Sequence, residues 1–306
     1  MNNDLVLVLK NDRLNVDQQR VLSLTLRIVG LVITYLFLVF MALLMLFPFY
    51  WMIITSLKTG AEIQQMEQTY WPTVIFWENY SQAVSRMDFG TVITNTLIVG
   101  VISTLGTLVT TIFAAFAFAR LEFKGRDACF MILLSTMMIP GEMMVITNYI
   151  TVSLFGMTGG QNALGAYAAM ILPFMVSIFY IYLLRQNFKQ IPNELYLAAK
   201  VDGKSDWQFL WKVMVPLAMP TLITIFILKL MGAWNSYVWP NLITSGHREL
   251  YLVTNALRST FDSLTNPNDA GAQMAATVIV TVPLLLVFIF FRKYIMRGVS
   301  RAGIKG

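Results

Sequence analysis

The chain has 306 residues, of which 57% are hydrophobic and only 12% charged, and its mean hydropathy is +0.65; this composition excludes a soluble globular protein and describes an integral membrane protein. The formal net charge of +6 does not mark a nucleic-acid binder, because no soluble face gathers the basic residues that such a partner requires. A single cysteine, Cys129, excludes a disulfide within the chain, and its expected state is that of a small buried apolar filler.

A hydrocarbon core about 30 Å thick needs about 20 apolar residues in a helix rising 1.5 Å per residue. Six such windows occur in chain order. The first, Ile28 to Ile54, follows a polar segment of residues 1–27; it is too long for a cleavable signal peptide and no small-residue cleavage site closes it. The second runs from Thr91 to Ala119. The third begins at Ala128 and the fourth ends near Leu184, with the glycine-rich FGMTGGQNALG at 155–165 as the turn between them. The fifth covers about Val215 to Pro240 and the sixth Met274 to Phe291. Only helices satisfy their own backbone over such runs in lipid, and the alternation of a membrane barrel is missing. The predicted fold is therefore all-α, a polytopic membrane protein with six transmembrane helices and no separate soluble domain.

Most of the 22 Lys and Arg fall before residue 28, within 120–126, within 185–212 and after residue 291. Lys58, Arg86, Arg248 and Arg258 fall on the opposite side, and Lys229 lies inside the fifth span. The positive-inside rule then places both termini in the cytoplasm, with 292–306 as a basic cytoplasmic tail. Two longer connections, 56–88 and 241–273, face outward; the second is rich in Asn, Asp, Ser and Thr.

Charges at membrane depth cost roughly 3 kcal/mol on insertion scales and usually face protein or water. Glu142, after Pro140-Gly141, and Lys229 are of this kind, and three placements are open to them: an ion pair across the bundle, a solute path, or snorkelling to an interface. Trp51, Trp71, Trp77, Trp234 and Trp239 fall near outer span ends, where interfacial anchoring is the ordinary role. His247 stands without metal-spaced companions and reads as an exposed loop residue.

Between the fourth and fifth spans, residues 186–215 form a polar, basic segment that reads as helix, turn, helix. Pro192 suits a first helical turn, and Glu194 favours the positive end of the helix dipole. Leu195, Ala198 and Ala199 share a face, and Asp202-Gly203 ends the helix with a left-handed glycine. Ser205 and Gln208 make a capping box that opens a second helix, with Trp207, Leu210 and Trp211 assigned to one side. Gly203-Lys204-Ser205 imitates the end of a phosphate-binding loop, but the glycine required five residues earlier is Ala198. The chain is accordingly expected to hydrolyse no ATP.

At these residues the sequence resembles the membrane permease subunits of binding-protein-dependent ABC importers, in the maltose-type carbohydrate branch. The family's cytoplasmic signature stands here as Leu197-Ala198-Ala199, Asp202-Gly203 and Val213-Met214-Val215-Pro216, followed by Pro220. Further likeness lies in FPFYWMIITSLK at 47–58, in WP and NY within 71–80, in NT at 95–96 and in MMIPGE at 137–142. It continues through LLRQNFKQIPNEL at 183–195, WNSYVWP at 234–240 and the closing GVSRAGIKG. The family's glutamate is here Leu197, for which Glu194 three residues earlier is the candidate substitute, and Lys204 replaces a common alanine.

The resemblance implies a non-catalytic subunit in a bacterial or archaeal inner membrane, paired with a second homologous permease. It implies two cytoplasmic ATPase subunits that bind ATP and Mg, and an external solute-binding protein reached by the 241–273 connection. It places Glu194, Leu197, Ala198, Ala199, Asp202, Gly203 and Pro216 in ATPase coupling, and Trp234 and Asn235, beside Glu142 and Lys229, on the translocation path. No cofactor is expected in this chain. The alternative class is a stand-alone secondary transporter or channel using Glu142 and Lys229, which predicts internal repeats that the sequence lacks.

Overall fold

A computed structural model describes the backbone of residues 3–261, 266, 267 and 269–300, and the side chains of 21, 24–261, 266, 267 and 269–293. The side chains of Lys10, Arg13, Arg20, Arg297, Arg301 and Lys305, and most of the closing GVSRAGIKG, lie outside the described residues. Among those described there is no strand, and the all-α expectation stands.

Helix α1 (Asn3–Ser56) contains a 33-residue apolar stretch, Leu24–Ser56, whose most apolar part is unburied within the chain. Its end is closed by the NY pair: Asn79 donates to the Ser56 and Lys58 carbonyls at 3.0 and 2.8 Å, and the Tyr80 hydroxyl meets Ser56 Oγ at 2.9 Å. These bonds satisfy carbonyls that a helix terminus leaves without partners. Helix α2 (Glu78–Arg86) then ties the 56–88 connection to the last span through a bidentate ion pair, Arg86 to Asp269 at 2.8 and 2.9 Å.

Helix α3 (Phe89–Arg120) starts at an Asp88 cap and runs through the centre of the bundle with Val99, Ser103, Thr107 and Phe116 buried. The third span differs from the continuous helix expected. Helix α4 (Arg126–Thr136) and helix α5 (Val145–Leu154) are joined by a tight turn at Gly141–Met144, and the two limbs are bent by 78°. Pro140 has no N–H to donate and disfavours helical geometry at Ile139, so the helix cannot continue through MMIPGE. Cys129 is exposed, not buried as expected, because α4 turns Phe130 inward and leaves Cys129, Met131 and Ile132 outside.

The fourth span is also broken. Helix α6 (Ala163–Ile171) and helix α7 (Ile178–Lys189) meet at 42° around Leu172–Phe174, where Pro173 interrupts the ladder. The freed carbonyls of Phe174 and Met175 accept from Thr107 Oγ1 at 2.8 Å and Thr110 Oγ1 at 2.6 Å on α3. The Met175 side chain packs directly on Gly106, and a Cβ there would require it to shift.

Helices α8 (Asn193–Val201) and α9 (Asp206–Phe209) form the polar segment, and α10 (Met219–Trp234) is the fifth span. It is shorter at both ends than the predicted 215–240: it starts late because the chain turns by 74° between Asp206–Leu217 and Met219–Trp234 near Pro216 and Pro220, and it ends at Trp234. Beyond it, α11 (Val238–Thr244) and α12 (Val253–Thr260) fold back onto the bundle before α13 (Asp269–Ser300) forms the sixth span. The 241–273 connection thus does not simply project outward: Leu250, Leu252, Val253, Ala256 and Phe261 are buried. The NT pair holds it there, with Asn95 donating to the Glu249 and Tyr251 carbonyls at 2.8 and 3.1 Å and the Val253 N–H donating to Thr96 Oγ1 at 2.9 Å. Residues 262–265 and 268 of this connection lie outside the described residues.

Candidate functional site

The 186–215 segment is built as its sequence chemistry requires. Gly203 has φ +71°, and the Gly203 and Lys204 N–H groups donate to the Lys200 and Ala199 carbonyls at 3.0 and 2.9 Å, a Schellman closure of α8. Both halves of the capping box are formed: the Gln208 N–H donates to Ser205 Oγ at 3.3 Å, and the Ser205 N–H to Gln208 Oε1 at 3.2 Å. The angle between the two helices is therefore set by local bonds.

The segment is rooted by α9 and the turn after it. Phe209, Leu210 and Met214 are buried against Phe116, Leu184 and Phe188, while α8 enters this cluster with Ala199 and packs Tyr196 against it. Leu210 therefore does not share a side with Trp207 and Trp211, which turn outward to meet Phe113 of α3 with ring centroids 5.8 and 6.2 Å apart. Arg120 at the end of α3 completes the attachment, donating to the Phe188 carbonyl at 2.9 Å, to the Ile191 carbonyl and to Asn193 Oδ1 at 3.2 Å. Asp206, ahead of the fifth span, accepts from Lys200 at 2.7 Å and from the Tyr196 hydroxyl at 2.7 Å, and these bonds hold its carboxyl below the usual aspartate range.

With α9 rooted, α8 presents its other face. Glu194, Leu195, Leu197, Ala198, Asp202 and Gly203 are exposed, Leu197 at 56% and the neighbouring Val201 at 88%, and Pro216 is exposed at the far end. A rigid, partly apolar surface rimmed by charge has the composition of a protein docking site.

The second feature is a cavity of about 230 Å³ between α3, α7, α10 and α11, lined by Lys229, Phe174, Tyr180, Ser103, Ser236 and Trp239 among others. Lys229 Nζ stands 5.3 Å from the centroid of the Phe174 ring. Glu142 is exposed on the Gly141–Met144 turn, and among the described residues it forms no ion pair with Lys229. Trp234 is buried in a different cluster, against Val92, Val253 and Ala276, and Asn235 is exposed with its amide donating to the Met231 carbonyl at 2.9 Å. Among the path candidates, only Lys229 lines the cavity. Of the five tryptophans assigned to interfaces, Trp71 and Trp77 are exposed, whereas Trp234 and Trp239 are buried. His247 is half-buried, its Nδ1 3.1 Å from the Thr244 carbonyl oxygen.

Sequence reasoning counted Arg120 and Arg185 only as cytoplasmic charge. Arg185 is in fact buried, donating to the Phe118 carbonyl at 3.1 Å with its guanidinium 3.8 Å from the Phe130 ring centroid. Their positions directly after apolar spans were the available signal, since a long basic side chain at a helix end can fold back onto carbonyls.

Residues 107–301 match the family described as binding-protein-dependent transport system inner membrane component. The chain is 29% identical over 277 residues to the arabinooligosaccharides transport system permease protein AraQ of Bacillus subtilis (strain 168), covering 89% of this chain and 94% of that protein. It is 30% identical to the lactose transport system permease protein LacG of Rhizobium radiobacter, over 84% of this chain and 90% of the relative. The sn-glycerol-3-phosphate transport system permease protein UgpE of Yersinia pestis is 27% identical over 84% of this chain and 91% of its own length. A solved bacterial ABC transporter, involved in the import of the acidic polysaccharide alginate, contains a chain that superposes with a TM-score of 0.74 at 27% identity, covering 88% of this chain and 96% of that one.

Proposed function

The chain belongs to the inner membrane components of binding-protein-dependent transport systems, and from that premise we propose that it is the permease subunit of an ABC importer for a sugar or oligosaccharide. Such subunits are non-catalytic, so the work is done by separate ATPases and reaches this chain mechanically. The observation that carries the reading is the construction of the 186–215 segment: an outward face on α8, joined by a Schellman turn to an α9 whose apolar side is sunk in the bundle. Push applied to that face is transmitted to α3 and α7 because Arg120 and the buried Phe209 and Leu210 leave no soft joint between them.

In this reading Glu194, Leu197, Ala198, Ala199, Asp202, Gly203 and Pro216 form or shape the surface that meets the ATPases, with Glu194 and Leu197 on one face at i and i+3. The partners are a second homologous permease, two ATPase subunits that hold ATP and Mg on the cytoplasmic side, and an external solute-binding protein. The membrane in this reading is the inner membrane of a bacterium or archaeon, and the distribution of Lys and Arg supports both termini being cytoplasmic. The relatives' named solutes, lactose, arabinooligosaccharides, glycerol phosphate and alginate, support a carbohydrate-like cargo, neutral or anionic. A self-sufficient carrier finds no support in an exposed Glu142 that is not paired with Lys229.

The test is uptake into proteoliposomes holding this chain, its companion permease and the ATPases, with the binding protein preloaded with a ¹⁴C-labelled oligosaccharide. Accumulation is expected only with ATP inside the ATPase-facing compartment. Equal accumulation by vesicles that lack the ATPases would overturn the reading.

A further inference from the structure

Lys229 brings a positive charge to the wall of a partly open cavity at membrane depth, and its surroundings do not neutralise it. No carboxylate lines the cavity, none of the ion pairs among the described residues includes Lys229, and its ammonium stands over the face of Phe174, 5.3 Å from the ring centroid. An aromatic face stabilises a cation only modestly. The cation at this depth is therefore costly in the empty subunit, and a residue carried at a cost within a membrane is an indication of function.

The rest of the wall says what would offset that cost. Phe174, Tyr180 and Trp239 present aromatic surface, and Ser103 and Ser236 add hydroxyls. Aromatic faces suit the apolar side of a sugar ring, hydroxyls suit its rim, and an ammonium suits an anion. The volume of about 230 Å³ lies below the roughly 300–1,000 Å³ of drug-sized sites, which makes it the size of one ring and not of a chain. Position argues against a lipid headgroup: Val99 and Ser103 stand ten and fourteen residues beyond Phe89 in α3, hence about 15 and 21 Å along it, and Lys229 is also inside its helix, between Met219 and Trp234. Headgroups meet the ends of spans.

We propose that this cavity is a subsite for a single acidic sugar unit, with Lys229 pairing to its carboxylate or phosphate, so that the transported carbohydrate is anionic. The inference rests on the importer reading above and adds the charge of its cargo. It also gives Phe174 a second part, since the ring at the break of the fourth span would be displaced from Lys229 when the anion arrives.

The test uses the complete transporter in phosphatidylcholine nanodiscs, with methyl β-D-glucuronide and methyl β-D-glucoside as probes followed by ligand-observed NMR. The glucuronide is expected to bind about tenfold more tightly than the glucoside, the size of one charge-assisted bond. Lys229→Met should erase that preference, and Lys229→Arg should keep most of it, which separates loss of charge from loss of fold. Equal affinities in the parent, a preference that survives Lys229→Met, or no binding of either probe would overturn the subsite. So would a preference abolished by adding phosphatidylglycerol to the discs, which would assign the cation to lipid. ATP-driven uptake in the same preparation distinguishes the two failures: uptake that persists without a charge preference removes only the subsite, whereas uptake that needs no ATPase removes the importer reading.

Discussion

Polar side chains around the 56–88 connection act chiefly by answering backbone groups that lipid and bends would otherwise leave unpaired. Glu62 is the most fully bonded of them: Thr69 Oγ1 donates to it at 2.5 Å, and the Thr73 N–H and hydroxyl donate at 3.1 Å each. Burial pushes its carboxyl up, but those bonds and nearby Lys58 outweigh the burial and hold its pKa below the usual glutamate value. A depressed folded pKa adds stability that is present above the ordinary value of about 4.3 and is lost as pH falls through the lower folded value. Glu62→Gln should therefore cost about 1–3 kcal/mol near neutrality and flatten the acid limb of a detergent melting curve measured against pH; an unchanged acid limb would refute the assignment. The same residues show why resemblance located motifs without explaining them. Asn79 and Asn95 belong to recognisable NY and NT pairs, yet their bonds to Ser56, Glu249 and Tyr251 join positions far apart in the chain, which no local pattern encodes.

For the elements, legibility followed the range of the interactions that shape them. The α8–α9 segment was readable because its stop and start signals, Gly203 and the Ser205/Gln208 box, act within a few residues. Gly203 is the sharpest handle on it. A Cβ there would meet no atom within 4 Å, so any cost is conformational and comes from φ +71° alone, about 1–2 kcal/mol for an ordinary residue. The order Gly203, Gly203→Asn, Gly203→Val should then be the order of falling ATPase stimulation by loaded binding protein, with complex assembly retained; a fully active Gly203→Val would show that the inter-helix angle does not matter. The spans were readable as windows but not as shapes. Pro140 and Pro173 were visible in the sequence, whereas the bends of 78° and 42° depend on what receives the freed carbonyls, and for Phe174 and Met175 the answer lies on α3.

Over the whole molecule, the candidate site was half legible. Lys229 stood out because charge at membrane depth is costly, but its neighbours Ser103, Tyr180 and Trp239 come from three other helices and Phe174 from the break between α6 and α7, and they are assembled only by the fold. The resemblance implies Trp234 and Asn235 on the path; the cavity itself is lined by Trp239, from the helix after α10, while Trp234 is buried in another cluster. Both features, the exposed face of α8 and the cavity beside α10, are anchored on α3, which reaches from Asp88 at one end to Arg120 at the other. A single helix therefore joins the cavity to the α8–α9 segment.

The spans also differ in length in a way that bears on the lipids around them. The unburied first span is 33 residues long, about 50 Å of helix, whereas the interior fifth span has 16 residues, about 24 Å, against a hydrocarbon thickness of about 30 Å. Mismatch of opposite sign is thus distributed between rim and centre, and the rim helix can absorb a thicker or thinner bilayer by tilting while its neighbours shield the short one. Uptake rates should consequently vary little between vesicles of sixteen-carbon and twenty-carbon acyl chains, and a steep dependence on chain length would show that the rim helix does not take up the mismatch.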